Sequence, residues 1–87
     1  MNSETFISFA KRLPICYYDI AVETFNDVTT RKIERTPKAI HFHMLNKIYF
    51  KSFIENWDLT DTSLNPREII SNTLSVLQNM KLLEIPD

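Results

Sequence analysis

Two histidines and one cysteine are the first candidates for metal binding or nucleophilic catalysis in this sequence. His41 and His43 are the only histidines, and Cys16 is the only cysteine. On a helix, residues two positions apart point about 160° away from each other, so these histidines cannot share a metal ion. On a strand they would share a face, but no third or fourth ligand follows at a suitable spacing. We therefore expect neither a metal site nor a bound cofactor.

Catalysis has little support elsewhere in the chain. A nucleophilic thiolate needs a neighbouring base, and neither histidine lies close to Cys16 in the sequence. The chain contains no glycine. This excludes the P-loop and the dinucleotide-binding turn, whose backbones must approach a phosphate closely. The sequence predicts a protein that is not an enzyme.

Three acidic residues, Asp19, Glu23 and Asp27, are spaced four apart in a stretch that reads as a helix. At this spacing the carboxylates form one stripe on the helix surface. A stripe of this kind is commonly just a solvated face, but it can also attract a basic partner. We take these three residues as a candidate acidic docking patch.

Charge is distributed unevenly along the chain. Residues 31–51 hold six basic residues and one acid, whereas residues 52–87 hold six acids and two bases. The basic residues of the middle segment are Arg31, Lys32, Arg35, Lys38, Lys47 and Lys51. They could contact nucleic-acid phosphates, or they could pair with the acidic helices of the same chain. The net charge of −1 provides no long-range attraction to nucleic acid.

Helices must position all of these residues. Apolar residues recur with the helical period in four stretches, and prolines or capping residues separate the stretches. The predicted helices span residues 4–13, 15–29, 37–57 and 66–84. The sequence therefore predicts an all-α, four-helix fold in a single domain covering residues 1–87, with the third helix at its centre. The alternative is an α+β fold, in which residues 39–44 alternate as a short strand.

The third predicted helix is apolar nearly all the way round, which is typical of a helix with more than one apolar neighbour. Its broad apolar arc, which we expect in the core, comprises Phe42, Leu45, Tyr49, Phe50, Phe53 and Trp57. The apolar residues outside that arc are Ile40, Met44, Ile48 and Ile54. We expect these four to contact a protein partner or a second copy of the chain.

These features favour a small regulatory or inhibitor-type protein that acts by protein–protein interaction and self-associates as a homodimer. The alternative is a DNA-binding transcriptional regulator that uses residues 31–51. No apolar run approaches the ~20 residues that span a bilayer, and residues 1–13 lack the basic start of a signal peptide. We therefore expect no membrane partner. Because a lone cysteine forms no internal disulfide, we expect a cytoplasmic location.

Overall fold

Four α-helices and one short 3₁₀ turn make up the computed structural model, which describes residues 3–84. The helices are α1 (Ser3–Ala10), α2 (Ile15–Thr29), α3 (Pro37–Glu55) and α4 (Pro66–Asn79), and the 3₁₀ turn is Thr62–Leu64. The predicted all-α, four-helix fold is confirmed. No β-strand occurs in this part of the chain, and residues 39–44 lie within α3, so the α+β alternative is wrong.

The helices begin where the capping residues predict. The Thr36 hydroxyl accepts a hydrogen bond from the Ala39 backbone N–H at 3.2 Å, and Pro37 occupies the first helical position of α3. The Asn65 side chain accepts from the Arg67 N–H at 3.1 Å and caps α4 in the same way. These caps satisfy donors that have no partner inside the helix. They fix the starts of α3 and α4.

Three helices end in a left-handed residue although the chain has no glycine. Arg31, Asn56 and Lys81 have φ of 59°, 55° and 60°. After each of them the next N–H reaches back to a carbonyl five residues earlier, as Leu82 does to Leu77 at 3.0 Å. This is the Schellman arrangement, which glycine usually provides. Because Lys81 adopts it, α4 ends at Asn79 and not at residue 84.

The core draws on all four helices. Phe6 of α1 stacks on Phe25 of α2, with ring centroids 4.6 Å apart. Two threonines, Thr24 and Thr73, are fully buried, and each hydroxyl donates to the carbonyl four residues earlier at 2.8 Å. The other fully buried large side chains are Tyr17, Ile20, Val28, Ile40, Met44, Ile48, Ile70 and Leu77.

Helix α3 packs mainly against two of the other helices. Helices α2 and α4 each pack against the other three, whereas the principal contacts of α3 are with α2 and α4. A helix held from one side keeps its other side free. The apolar pattern of α3 therefore reflects two separate apolar faces, of which only one belongs to the core.

The loop that follows α3 is tied to the core by one tyrosine. The hydroxyl of Tyr17 donates to the Leu64 carbonyl at 2.5 Å. The Trp57 ring packs edge-on against the Tyr17 ring at a centroid distance of 5.4 Å. Burial raises the pKa of Tyr17 to about 12, so its hydroxyl keeps the proton that it donates.

Candidate functional site

The inner face of α3 is a narrow aliphatic row. Ile40, Met44 and Ile48 are spaced four apart and are completely buried, and Ser52 continues the row one turn further. Side chains at this spacing form the ridge that fits between neighbouring helices. This row, together with α2 and α4, completes the core on the α3 side.

The outer face of α3 is aromatic and exposed. Its large apolar side chains share a face because they follow Phe42 at intervals of seven, eight, eleven and twelve residues, which correspond to about two and three helical turns. They are Phe42 (66% exposed), Tyr49 (53%), Phe50 (68%), Phe53 (84%) and Ile54 (60%). We call these five residues the aromatic face. It lies on the opposite side of the helix from Met44.

The predicted partner contacts on α3 are therefore corrected. Ile40, Met44 and Ile48 are core residues that no partner can reach, and only Ile54 is exposed as expected. Most of the arc that was expected inside, including Phe42 and Phe53, faces outward. One reason is steric, because a slim row of Ile and Met allows helices to pack at the usual spacing of about 8–10 Å. The other is electrostatic, because the two polar residues beside that row, His43 and Lys47, meet carboxylates of α2.

Those two polar residues meet the predicted acidic patch. The Lys47 Nζ lies 3.1 Å from a carboxylate oxygen of Glu23, and the His43 Nε2 lies 3.3 Å from one of Asp27. Asp19 is exposed, and within residues 3–84 it has no ion-pair partner. Two of the three carboxylates thus face α3 at matching four-residue spacings. The stripe is in part a seam between helices.

His43 is the titratable group most affected by this seam. Burial lowers its pKa below the usual 6.5, and the nearby Lys47 ammonium lowers it further, while Asp27 and Glu23 oppose both effects. Its Nε2 is buried and makes no hydrogen bond, because the approach to Asp27 is not aligned for one. His43 is therefore held mainly in its neutral form at neutral pH.

Half of the predicted basic segment is engaged inside the chain. Arg31 pairs with Glu84 at 2.8 Å, and Lys47 pairs with Glu23. The Arg35 guanidinium donates to the carbonyls of Val28 and Thr29 at 3.0 and 3.1 Å, which covers the end of α2. The basic residues without a partner in the described chain are Lys32, Lys38 and Lys51. Three lysines are few for nucleic-acid binding, which draws on many phosphate contacts.

Two surface cavities flank the start of α3. The first, of about 490 Å³, is mainly apolar and is lined by Glu34, Thr36, Lys38, Ala39, His41 and Phe42. The second, of about 600 Å³, lies between α3 and α4 and is lined by Pro37, His41, Arg67, Ser71, Leu74, Ser75, Gln78 and Leu83. Because Phe42 lines the first cavity and is also part of the aromatic face, this cavity adjoins that face.

The chemistry-bearing side chains do not converge. Among residues 3–84, no three His, Cys, Asp or Glu side chains are grouped to hold a metal ion. Burial raises the pKa of the Cys16 thiol, which disfavours the reactive thiolate. None of the helices in the same stretch combines the length and apolarity needed to cross a bilayer. The aromatic face is thus the feature that stands out.

Comparison with known proteins adds no relative. No protein-family model, no curated protein and no solved structure matches this chain. The candidate site therefore rests on physical grounds. The signal that revealed it in the sequence was the surplus of apolar residues on α3. That signal located the helix but assigned its two faces the wrong way round.

Proposed function

We propose that this protein is a non-enzymatic interaction protein of regulatory or inhibitor type, and that it self-associates through the aromatic face of α3. One observation carries the proposal: four aromatic side chains and Ile54 are more than half exposed on a single helix face. Isolated exposed apolar residues are ordinary, but a contiguous group of this size is characteristic of an interaction site.

The size of this surface fits a protein partner. Large aromatic side chains bury ~150–250 Å² each, so the aromatic face offers on the order of 600 Å² of apolar surface. A typical monomer has a largest apolar patch of about 300–600 Å², and a stable interface buries roughly 800 Å² per partner. The exposed Lys38, one turn before Phe42, would supply part of the polar rim. The face is therefore large enough for the centre of a dimer interface.

A second copy of the chain is the partner that needs no further assumption. An apolar face that meets itself across a two-fold axis is buried twice by one contact. A domain of 87 residues also has limited core area, and self-association is a common way to supplement it. The lone cysteine agrees with the cytoplasm as the location of such a dimer.

Analytical ultracentrifugation tests the proposal. The wild-type chain should have the mass of a dimer at micromolar concentration, and Phe50→Glu with Phe53→Glu should give a monomer with unchanged helical circular dichroism. The matched control is Asn72→Glu with Ser75→Glu, which adds the same charge to exposed positions of α4 and should leave the dimer intact.

Two results would contradict this function. One is a wild-type monomer at millimolar concentration. The other is a dimer that the double glutamate variant does not disrupt. Salt-sensitive binding of duplex DNA by a monomeric wild type, lost in Lys32→Glu with Lys38→Glu, would instead favour the DNA-binding alternative.

A further inference from the structure

The most protruding side chain of the aromatic face and the adjoining cavity lie at opposite ends of α3. Phe53 is 84% exposed, near the carboxyl end of the helix. The apolar cavity of about 490 Å³ begins beside Phe42 and Ala39, near the amino end. At 1.5 Å per residue, Phe53 and Phe42 are roughly 16 Å apart along the axis. One copy of α3 therefore carries both a projecting ring and a place that can receive one.

A two-fold axis across the middle of α3 brings these two features together. Phe42 and Phe53 are equally far from the point between Lys47 and Ile48, so an antiparallel copy places each Phe53 opposite the other copy's Phe42. The contact is then made twice, as closed two-fold symmetry requires. A parallel copy would place Phe53 against Phe53 and leave both cavities empty.

The charges at the ends of α3 favour the same orientation. Beside the amino end lie the exposed Lys32 and Lys38, neither of which has an ion-pair partner in the described chain, and one exposed acid, Glu34, so this end is basic overall. Beside the carboxyl end lie three exposed acids, Glu55, Asp58 and Asp61. An antiparallel pair sets basic ends against acidic ends, whereas a parallel pair sets like charges together. The dipoles of antiparallel helices are also matched favourably.

We propose that two copies of the chain pair through antiparallel α3 helices, with the Phe53 ring of each copy seated in the cavity beside Phe42 of the other. This inference rests on the self-association proposed above and specifies its geometry. The aromatic rings at both ends are the apolar anchors of the contact. The basic and acidic ends set its orientation, because a parallel or shifted pairing opposes like charges.

Charge reversal at the two ends tests the orientation. Lys38→Glu and Asp58→Lys each place like charges at both ends of an antiparallel dimer, so each should raise the dimer dissociation constant roughly tenfold at low salt. The double variant Lys38→Glu/Asp58→Lys restores opposite charges across the interface. Its dissociation constant should return to within about twofold of the wild-type value, because the rescue works only across an antiparallel pair.

Matched controls separate this effect from a change in net charge. Lys11→Glu and Glu68→Lys alter the net charge by the same amounts at exposed positions outside α3, and both should dimerise as the wild type does. Phe53→Ala should weaken the dimer while the helical circular dichroism stays unchanged. These variants are measured by sedimentation equilibrium at two salt concentrations.

The outcomes distinguish the geometry from the function. A wild-type dimer in which both single reversals behave like their controls, or in which the double variant is no better than the singles, overturns the antiparallel pairing and leaves the proposed function standing. A monomeric wild type overturns both. Weakening by each reversal and recovery in the double variant supports the pairing.

Discussion

The two faces of α3 are both apolar, yet they differ in residue type and in burial. The inner face is an aliphatic row of Ile40, Met44 and Ile48, completely buried against α2 and α4. The outer face carries rings such as Phe42 and Phe53, which stand mostly in solvent. Hydrophobicity alone therefore does not determine which side of a helix is buried. Shape and neighbouring polar contacts decide it.

The contrast between the faces should be largest in the stability of the monomer. Ile48→Ala leaves a cavity in the core and should lower the free energy of unfolding by about 2–5 kcal/mol, whereas Phe53→Ala should change it by less than about 0.5 kcal/mol. Urea unfolding checks this below the dimer dissociation constant, where association does not contribute. An equal loss in both variants would mean that the faces are not distinct in the monomer.

A smaller effect should come from His43, at the border of the inner face. Its pKa is lowered in the folded state, so below pH 6.5 the unfolded chain binds more protons than the folded chain. Stability should thus be full above about pH 6.5 and fall as the pH decreases toward the lowered pKa. His43→Gln should flatten this dependence in urea unfolding at pH values from about 7.5 to 5, while His41→Gln should retain it. Equal slopes in the two variants would rule out His43 as the cause.

The smallest effect should be the coupling between Glu23 and Lys47, which flanks the same face. The pair is half exposed, so a double-mutant cycle with alanine should give a coupling of about 0.2–1 kcal/mol that decreases with salt. The same cycle with Asp19 in place of Glu23 serves as a control, since Asp19 makes no ion pair with α3. No coupling, or equal coupling in both cycles, would show that the contact between Glu23 and Lys47 does not help to orient α3.

Local signals in the sequence were enough to predict the fold. Caps and prolines at Thr36-Pro37 and Asn65-Pro66 set the starts of two helices, and the 3.6-residue period identified all four. The end of α4 was placed too late because nothing local marks Lys81 as left-handed. That conformation depends on the Leu82 side chain, which is buried in the core and turns the chain inward.

The candidate site could be predicted only in part, for a related reason. The excess of apolar residues on α3 is a property of that helix alone, and it correctly indicated two apolar faces. Which face is buried depends on the surfaces of α2 and α4, and on polar partners such as Glu23 and Asp27. Those contacts join residues far apart in the sequence. A helical pattern contains no information about them.

The missing glycines also bear on the unfolded chain. Glycine has the widest conformational freedom of any residue, so a chain without it has fewer unfolded conformations to give up when it folds. The folded chain bears a matching disadvantage, because Arg31 and Lys81 occupy a region of backbone space that side chains disfavour. The absence of glycine thus costs some backbone strain at a few helix ends in the folded state, but it lowers the conformational entropy of the unfolded chain along all 87 residues.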